Sequence, residues 1–203
     1  MNEHMPEPLV ALVQQLSKLP GFGPKSAMRA AMTMLAWPKA KTQQLGQSIA
    51  LLRDKLCLCS RCCGLASEDP CQICRDPVRT QTSLCLVTEW DSMLTIDQGG
   101  FYHGQYFVLG GLLAPLEQKD AASLNIQKLI SRLSEGVIEE LILALGATID
   151  AETTTSWLIT LLHTKFPKLR ITRFAQGMPL GSEVKYMDRE TLKQSLDYRQ
   201  QLC

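Results

Sequence analysis

Cys59-Ser60-Arg61-Cys62, eight residues, then Cys71-Gln72-Ile73-Cys74 is the segment that divides this chain. A Cys-x-x-Cys turn aims two thiolates at one point, and two such turns complete a tetrahedral set of four sulfurs. Soft thiolates with no histidine or carboxylate among the ligands favour zinc, with iron as the chemical competitor. All four positions are protein sulfur, which leaves none for water, so the expected zinc is structural. The competing readings are two disulfides, or reduced thiols clustered without a metal. Met1 to Pro8 contain no basic stretch followed by an apolar one, so the chain is expected in the cytoplasm, where thiols stay reduced. No run approaches the roughly 18–20 apolar residues of a membrane span, and no membrane partner is expected. Cys57 and Cys63 flank the set at the wrong spacing, although Cys57-Leu58-Cys59 leaves Cys57 open as an exchange ligand. Cys85 lies in an apolar run and reads as a small buried hydrophobe, whereas the terminal Cys203 reads as exposed.

On the N-terminal side of the cysteines the charge is one-sided. Residues 1–63 hold eight Lys and Arg against three Asp and Glu, a balance of +5, and the remaining 140 residues balance at −4. A basic third marks a candidate surface for a polyanion, or else a solvated face without a ligand. Leu9, Leu12, Val13 and Leu16 recur at helical spacing over 7–18. Leu19-Pro20-Gly21-Phe22-Gly23-Pro24 then stops the helix. Two glycines permit positive φ, and Pro24 suits the first turn of a helix over 24–36. A third helix is expected over 41–56. Helix, Gly-x-Gly turn, helix is the helix-hairpin-helix pattern. Gly21 and Gly23 let the backbone approach a phosphate, free N–H groups open the second helix, and Lys25 and Arg29 share one face beside the turn. Such contacts hold DNA without reading its sequence. An ordinary turn between two helices is the alternative.

On the C-terminal side the pattern alternates. Apolar runs at 84–87, 106–109, 141–145 and 169–174 read as strands, and 123–134 and 152–165 read as helices. Strands separated by helices imply a largely parallel α/β sheet, with ligand sites at the carboxyl ends of its strands. A last helix fits about 189–201. With 203 residues and 45% hydrophobic composition the chain can bury one large core or two modest ones. The fold class is α+β multidomain. A hairpin region occupies 1–56, a zinc knuckle 57–78, an α/β domain 79–175 and a C-terminal segment 176–203.

Three strings carry a resemblance over nearly the whole length: Leu19-Pro-Gly-Phe-Gly-Pro-Lys-Ser-Ala27, Tyr106-Phe-Val-Leu-Gly-Gly-Leu-Leu-Ala-Pro-Leu116, and Arg173-Phe-Ala-Gln-Gly-Met-Pro-Leu-Gly-Ser-Glu183 with Asp188-Arg-Glu-Thr-Leu192. With the cysteine knuckle between them, the chain closely resembles the RecR family of bacterial recombination-repair proteins. The resemblance implies that the α/β part is a Toprim domain. It also implies a DNA-binding homo-oligomer, a tetrameric ring-like clamp that works with RecO and RecF. Together these help place RecA on single strands coated with single-strand-binding protein.

The sequence departs from Toprim enzymes where they hold magnesium. Such enzymes place a glutamate after the first strand and an Asp-x-Asp pair after a later one. Here Thr88 takes the glutamate position, with Glu89 displaced by one, and Gly146-Ala147-Thr148 fills the Asp-x-Asp slot ahead of Asp150 and Glu152. Hard Mg²⁺ needs clustered carboxylates, so no magnesium site is expected. The segment after Pro115 also lacks a glycine-rich loop. His4, His103 and His163 are scattered, and neither a G-x-S-x-G elbow nor a phosphate loop for ATP occurs. Glu183 and Asp188 read as loop-orienting residues. Tyr186 and Trp90 read as either interface anchors or core. The expected function is a non-enzymatic DNA-binding repair mediator. Two rivals are a Toprim-type nuclease or primase using Glu89, Asp150 and Glu152, and an adaptor whose knuckle and hairpin hold only proteins.

Overall fold

The computed structural model describes residues 5–114 and 121–201, in two units that divide between Lys55 and Leu56. Cys203, His4 and residues 115–120 lie outside the described residues.

The first unit is helical. Pro6 and Pro8 set the φ of the opening turn of α1 (Glu7–Leu16), and Pro24 does the same for α2 (Pro24–Leu35). The two helices pack on each other. Ala27 and Ala31, one turn apart on α2, are its fully buried side chains among the described residues. α3 (Lys39–Ala50) buries none. It ends a turn and a half before the expected 56. The apolar spacing of Leu45, Ile49, Leu52 and Leu56 does continue, but Ile49 and Leu52 are 67% and 56% exposed, so no packing holds the last turn. Leu12, Met32 and Leu35 are exposed as well. Among its described residues the unit thus fully buries no large apolar side chain.

The second unit opens with the knuckle. β1 (Cys57–Leu58) pairs antiparallel with β2 (Leu65–Ala66), and α4 (Gln72–Arg75) follows. Next come β3 (Thr80–Val87), α5 (Trp90–Gln98), β4 (Gly104–Val108), α6 (Ile126–Ser134), β5 (Glu140–Ala144), α7 (Ile149–Lys165), β6 (Arg170–Arg173) and α8 (Arg189–Asp197). The four long strands form one sheet in the order β4-β3-β5-β6, parallel throughout. Leu84 to Val87 and all five residues of β4 are buried, as strands covered on both faces must be. Leu84, Leu86, Leu141 and Leu158 are each fully buried and contribute about 1.5–3 kcal/mol apiece by leaving water. On α7 a stripe of Ala151, Thr154, Leu158 and Leu162 faces this core. Thr154 is its polar member. Its hydroxyl donates to the Asp150 carbonyl at 2.6 Å and accepts from Leu113 N–H at 2.9 Å, so no polar atom is stranded there.

The chain runs from β3 to β4 on one side and returns to β5 on the other. The carboxyl ends of β3 and β5 therefore flank a topological switch point, where ligands of parallel sheets collect. Arg173, at the end of β6, ties this edge together: it donates to both Glu152 oxygens at 3.1 and 3.0 Å and to the Tyr198 hydroxyl at 2.8 Å. Asp188 caps α8 by accepting from Thr191 N–H at 2.9 Å. Gly177, at φ +155°, lets the chain pass Ser195, whose hydroxyl stands 3.2 Å from where a Cβ would sit.

Candidate metal centre and nucleic-acid interface

The ligand atoms of Cys59, Cys62, Cys71 and Cys74 all lie within 4.8 Å of one another. Among the described residues they are the one group of three or more such side chains placed to share an ion. The local backbone builds this. Ser60 N–H donates to Asp69 at 2.7 Å and pins the first turn to the approach of the second. Cys63 takes φ +60°, a left-handed turn that costs a non-glycine residue about 1–2 kcal/mol. That turn brings Gly64 N–H back onto the Cys62 sulfur at 3.4 Å. Cys71 N–H points at the Cys59 sulfur at 3.3 Å, and Cys74 N–H at the Cys71 sulfur at 3.4 Å. Donors aimed at sulfur favour the thiolate, the form a metal needs.

The donor set fits a tetrahedral soft cation. Cys62 and Cys71 sulfurs stand 3.6 Å apart, against about 3.8 Å for the edge of a tetrahedron with 2.3 Å zinc–sulfur bonds. The thiols also influence one another strongly. A hydrogen bond from Cys62 pulls Cys74 down to about 6, the Cys74 partnership and burial push Cys62 up, and burial pushes Cys71 up to about 11. Four thiolates gathered in a buried site need a cation to neutralise them, so loading the site releases protons. Cys57 stands outside the cluster and donates to the Ala66 carbonyl at 3.4 Å. Cys63 is buried in the core of the sheet, as is Cys85.

In the helical unit, Phe22 N–H bonds the Leu19 carbonyl at 3.0 Å and closes the turn between α1 and α2. Gly21 uses positive φ, at +77°. Gly23 does not: it caps α2 in extended geometry at φ −77°, and a Cβ there would meet nothing within 4 Å. Both glycines permit positive φ, and of the two Gly21 uses it. What the missing side chain of Gly23 does is leave the helix N-terminus bare. Lys25 and Arg29 are exposed one turn apart, and Arg29 reaches the Ser26 hydroxyl at 3.4 Å.

At the switch point a cleft of about 370 Å³ is lined by Thr88, Gly146, Ala147, Arg173 and Gln176 among others. The carboxylates considered for magnesium do not converge on it. Glu89 is exposed at the start of α5, Asp150 is exposed on α7, and Glu152 is bound by Arg173 and by Gln176 at 2.9 Å. Thr88 donates to the Leu145 carbonyl at 3.4 Å. His103 is exposed, Tyr186 is 72% exposed, and Trp90 is half-buried against the core.

Sequence reading missed α5 and the buried pair Gln105 and Arg132. The signal for α5 was Trp90, Met93 and Leu94 at helical spacing, ended by Gly99-Gly100. Arg132 left a fainter one, a charge on the flank of the Ile126, Leu129, Leu133 stripe.

A helical hairpin, a four-cysteine knuckle and a parallel sheet whose strand ends gather no acidic cluster among the described residues define a multidomain protein of the Toprim class. Residues 9–52 match the family model described as "RecR, helix-hairpin-helix", residues 82–175 the Toprim domain, and residues 177–200 "RecR, C-terminal". Recombination protein RecR of Nitratidesulfovibrio vulgaris is 56% identical over 98% of this chain and all of its own length. That of Maridesulfovibrio salexigens is 54% identical over the same shares. That of Thermosynechococcus vestitus is 39% identical over all of this chain and 98% of its own. The chain belongs to the RecR family of recombination-repair proteins. Among the described residues no helix is long and apolar enough to cross a membrane.

Proposed function

We propose that this chain is a non-enzymatic, cytoplasmic DNA-binding mediator of recombinational repair. It acts as a homo-oligomeric clamp, a tetramer, with RecO and RecF to help load RecA onto single-stranded DNA. Its four parts are the hairpin region 1–56, the zinc knuckle 57–78, the Toprim domain 79–175 and the C-terminal segment 176–203. The bare α2 N-terminus, with Lys25 and Arg29 exposed beside it, carries the reading. Gly21 and Gly23 shape the turn against a phosphate, and Lys25 and Arg29 neutralise its neighbours. Cys59, Cys62, Cys71 and Cys74 hold one structural zinc, which fixes the knuckle and supplies no chemistry to DNA.

Oligomerisation is supported by the exposed Leu12, Met32, Leu35 and Ile49 of a unit whose buried side chains, among the described residues, are two alanines. Burial against a second copy would stabilise them. Several basic faces around one strand would then bind far more tightly than one. The non-enzymatic reading is supported by the scattered carboxylates at the strand ends and by the engagement of Glu152 with Arg173.

The test is RecA filament formation on single strands coated with single-strand-binding protein, with RecO and RecF present. Adding this protein is expected to accelerate filament growth, and the DNA is expected to be recovered intact. Metal-dependent cleavage or primer synthesis would instead favour the Toprim-enzyme reading. No acceleration together with no DNA binding would favour the adaptor.

A further inference from the structure

We propose that Arg132 is the buried counter-charge of the metal cluster, and that it balances the negative charge four thiolates leave around a bound dication. The inference rests on the zinc reading above. Arg132 is 5% exposed on α6. Its Nη1 donates to the Arg61 carbonyl, inside the first Cys-x-x-Cys turn, at 3.0 Å, and its Nη2 meets the Gln105 amide oxygen at 3.4 Å. Its Nε has no partner. Among the described residues it forms no ion pair with a carboxylate, and Glu135, one turn on, is taken by the Arg61 side chain at 3.2 Å.

A guanidinium out of water is costly unless an anion answers it. Both of its hydrogen-bonded acceptors are neutral. The Arg61 carbonyl it holds lies between Cys59 and Cys62 in the chain, so the thiolates of that turn are the anionic groups next along the backbone it grips. Zinc with four thiolates carries a net charge of about −2, which is the missing anion. The same side chain thereby joins the knuckle to the sheet, alongside Val108 N–H, which donates to the Cys62 carbonyl at 2.7 Å.

The test measures release of zinc from the loaded full-length chain into excess chelator, and the thiolate-to-metal absorption band of the cobalt-loaded chain. Outer-shell partners of metal ligands typically govern 10–100-fold in affinity, so Arg132→Met is expected to release zinc about tenfold faster, and Arg132→Lys within about threefold of the unaltered chain. The cobalt band is expected to shift in the methionine variant and return in the lysine one. Gln105→Glu keeps the side-chain volume but gives the guanidinium a competing carboxylate, so it too should speed release. That variant carries the test if Arg132→Met does not fold. Lysine and methionine variants releasing zinc equally fast would reduce Arg132 to a geometric clamp on the Arg61 carbonyl. Unchanged release in Arg132→Met, or in Gln105→Glu, would overturn the proposal outright. An unaltered chain that purifies reduced and without zinc would overturn the metal reading instead, a failure distinct from both.

Discussion

Stripping the metal from the reduced protein, or replacing Cys71→Ser, is expected to unfold residues 57–76 and leave the four-stranded sheet standing. The knuckle has two strands of two residues each and one four-residue helix. Its buried cluster is Cys59, Cys62 and Cys71 themselves. With so little apolar burial of its own, its folding free energy is the binding free energy of the metal, about 10–16 kcal/mol in comparable zinc-finger peptides. The sheet has a separate core in Leu84, Leu86, Tyr106, Leu141 and Leu158. Hydrogen exchange by mass spectrometry reads both at once. Protection should vanish over 57–76 and persist over β3, β4 and β5. Equal protection of the knuckle with and without metal would contradict the account, as would purified, reduced protein holding less than about half an equivalent of zinc.

The second large effect concerns DNA. Lys25→Ala with Arg29→Ala is expected to weaken binding to all sequences alike, because phosphate contacts carry no base information. Removing two phosphate contacts should reduce the slope of log affinity against log salt by about one to two units. Both side chains are exposed and neither supports the core, so the variant should keep its fold. Titration of labelled DNA at several salt concentrations gives the slope. An unchanged slope would mean that the phosphates meet some other face.

How far the sequence could be read depended on how local each cause is. Leu84 to Val87 and Leu141 to Leu145 announce buried parallel strands by composition alone, and the structure places β3 and β5 there. The pairs of Cys-x-x-Cys turns and the Leu-Pro-Gly-Phe-Gly-Pro turn are equally local, since backbone geometry within a few residues fixes both. Helix ends were less legible. Residues 51–55 keep apolar spacing but leave the helix, because exposed Leu51 and Leu52 gain nothing by continuing it. α5 was missed because Asp91, Ser92, Thr95 and Asp97 dilute its apolar face and no side chain caps it. Arg132 and Gln105 lay beyond reach for a different reason. Whether a polar side chain is buried depends on its partner, and the carbonyl that Arg132 holds is 71 residues away in sequence.

If several copies assemble to hold DNA, the mass of the particle in solution shows it. Light scattering at micromolar concentration, with and without DNA, is expected to give a homo-oligomer, four chains in the tetramer, that keeps its stoichiometry when DNA binds. Leu35→Glu with Ile49→Glu, which places charge on the uncovered apolar side chains, should reduce that mass. A chain that is strictly monomeric, and stays so when DNA is added, would contradict the clamp.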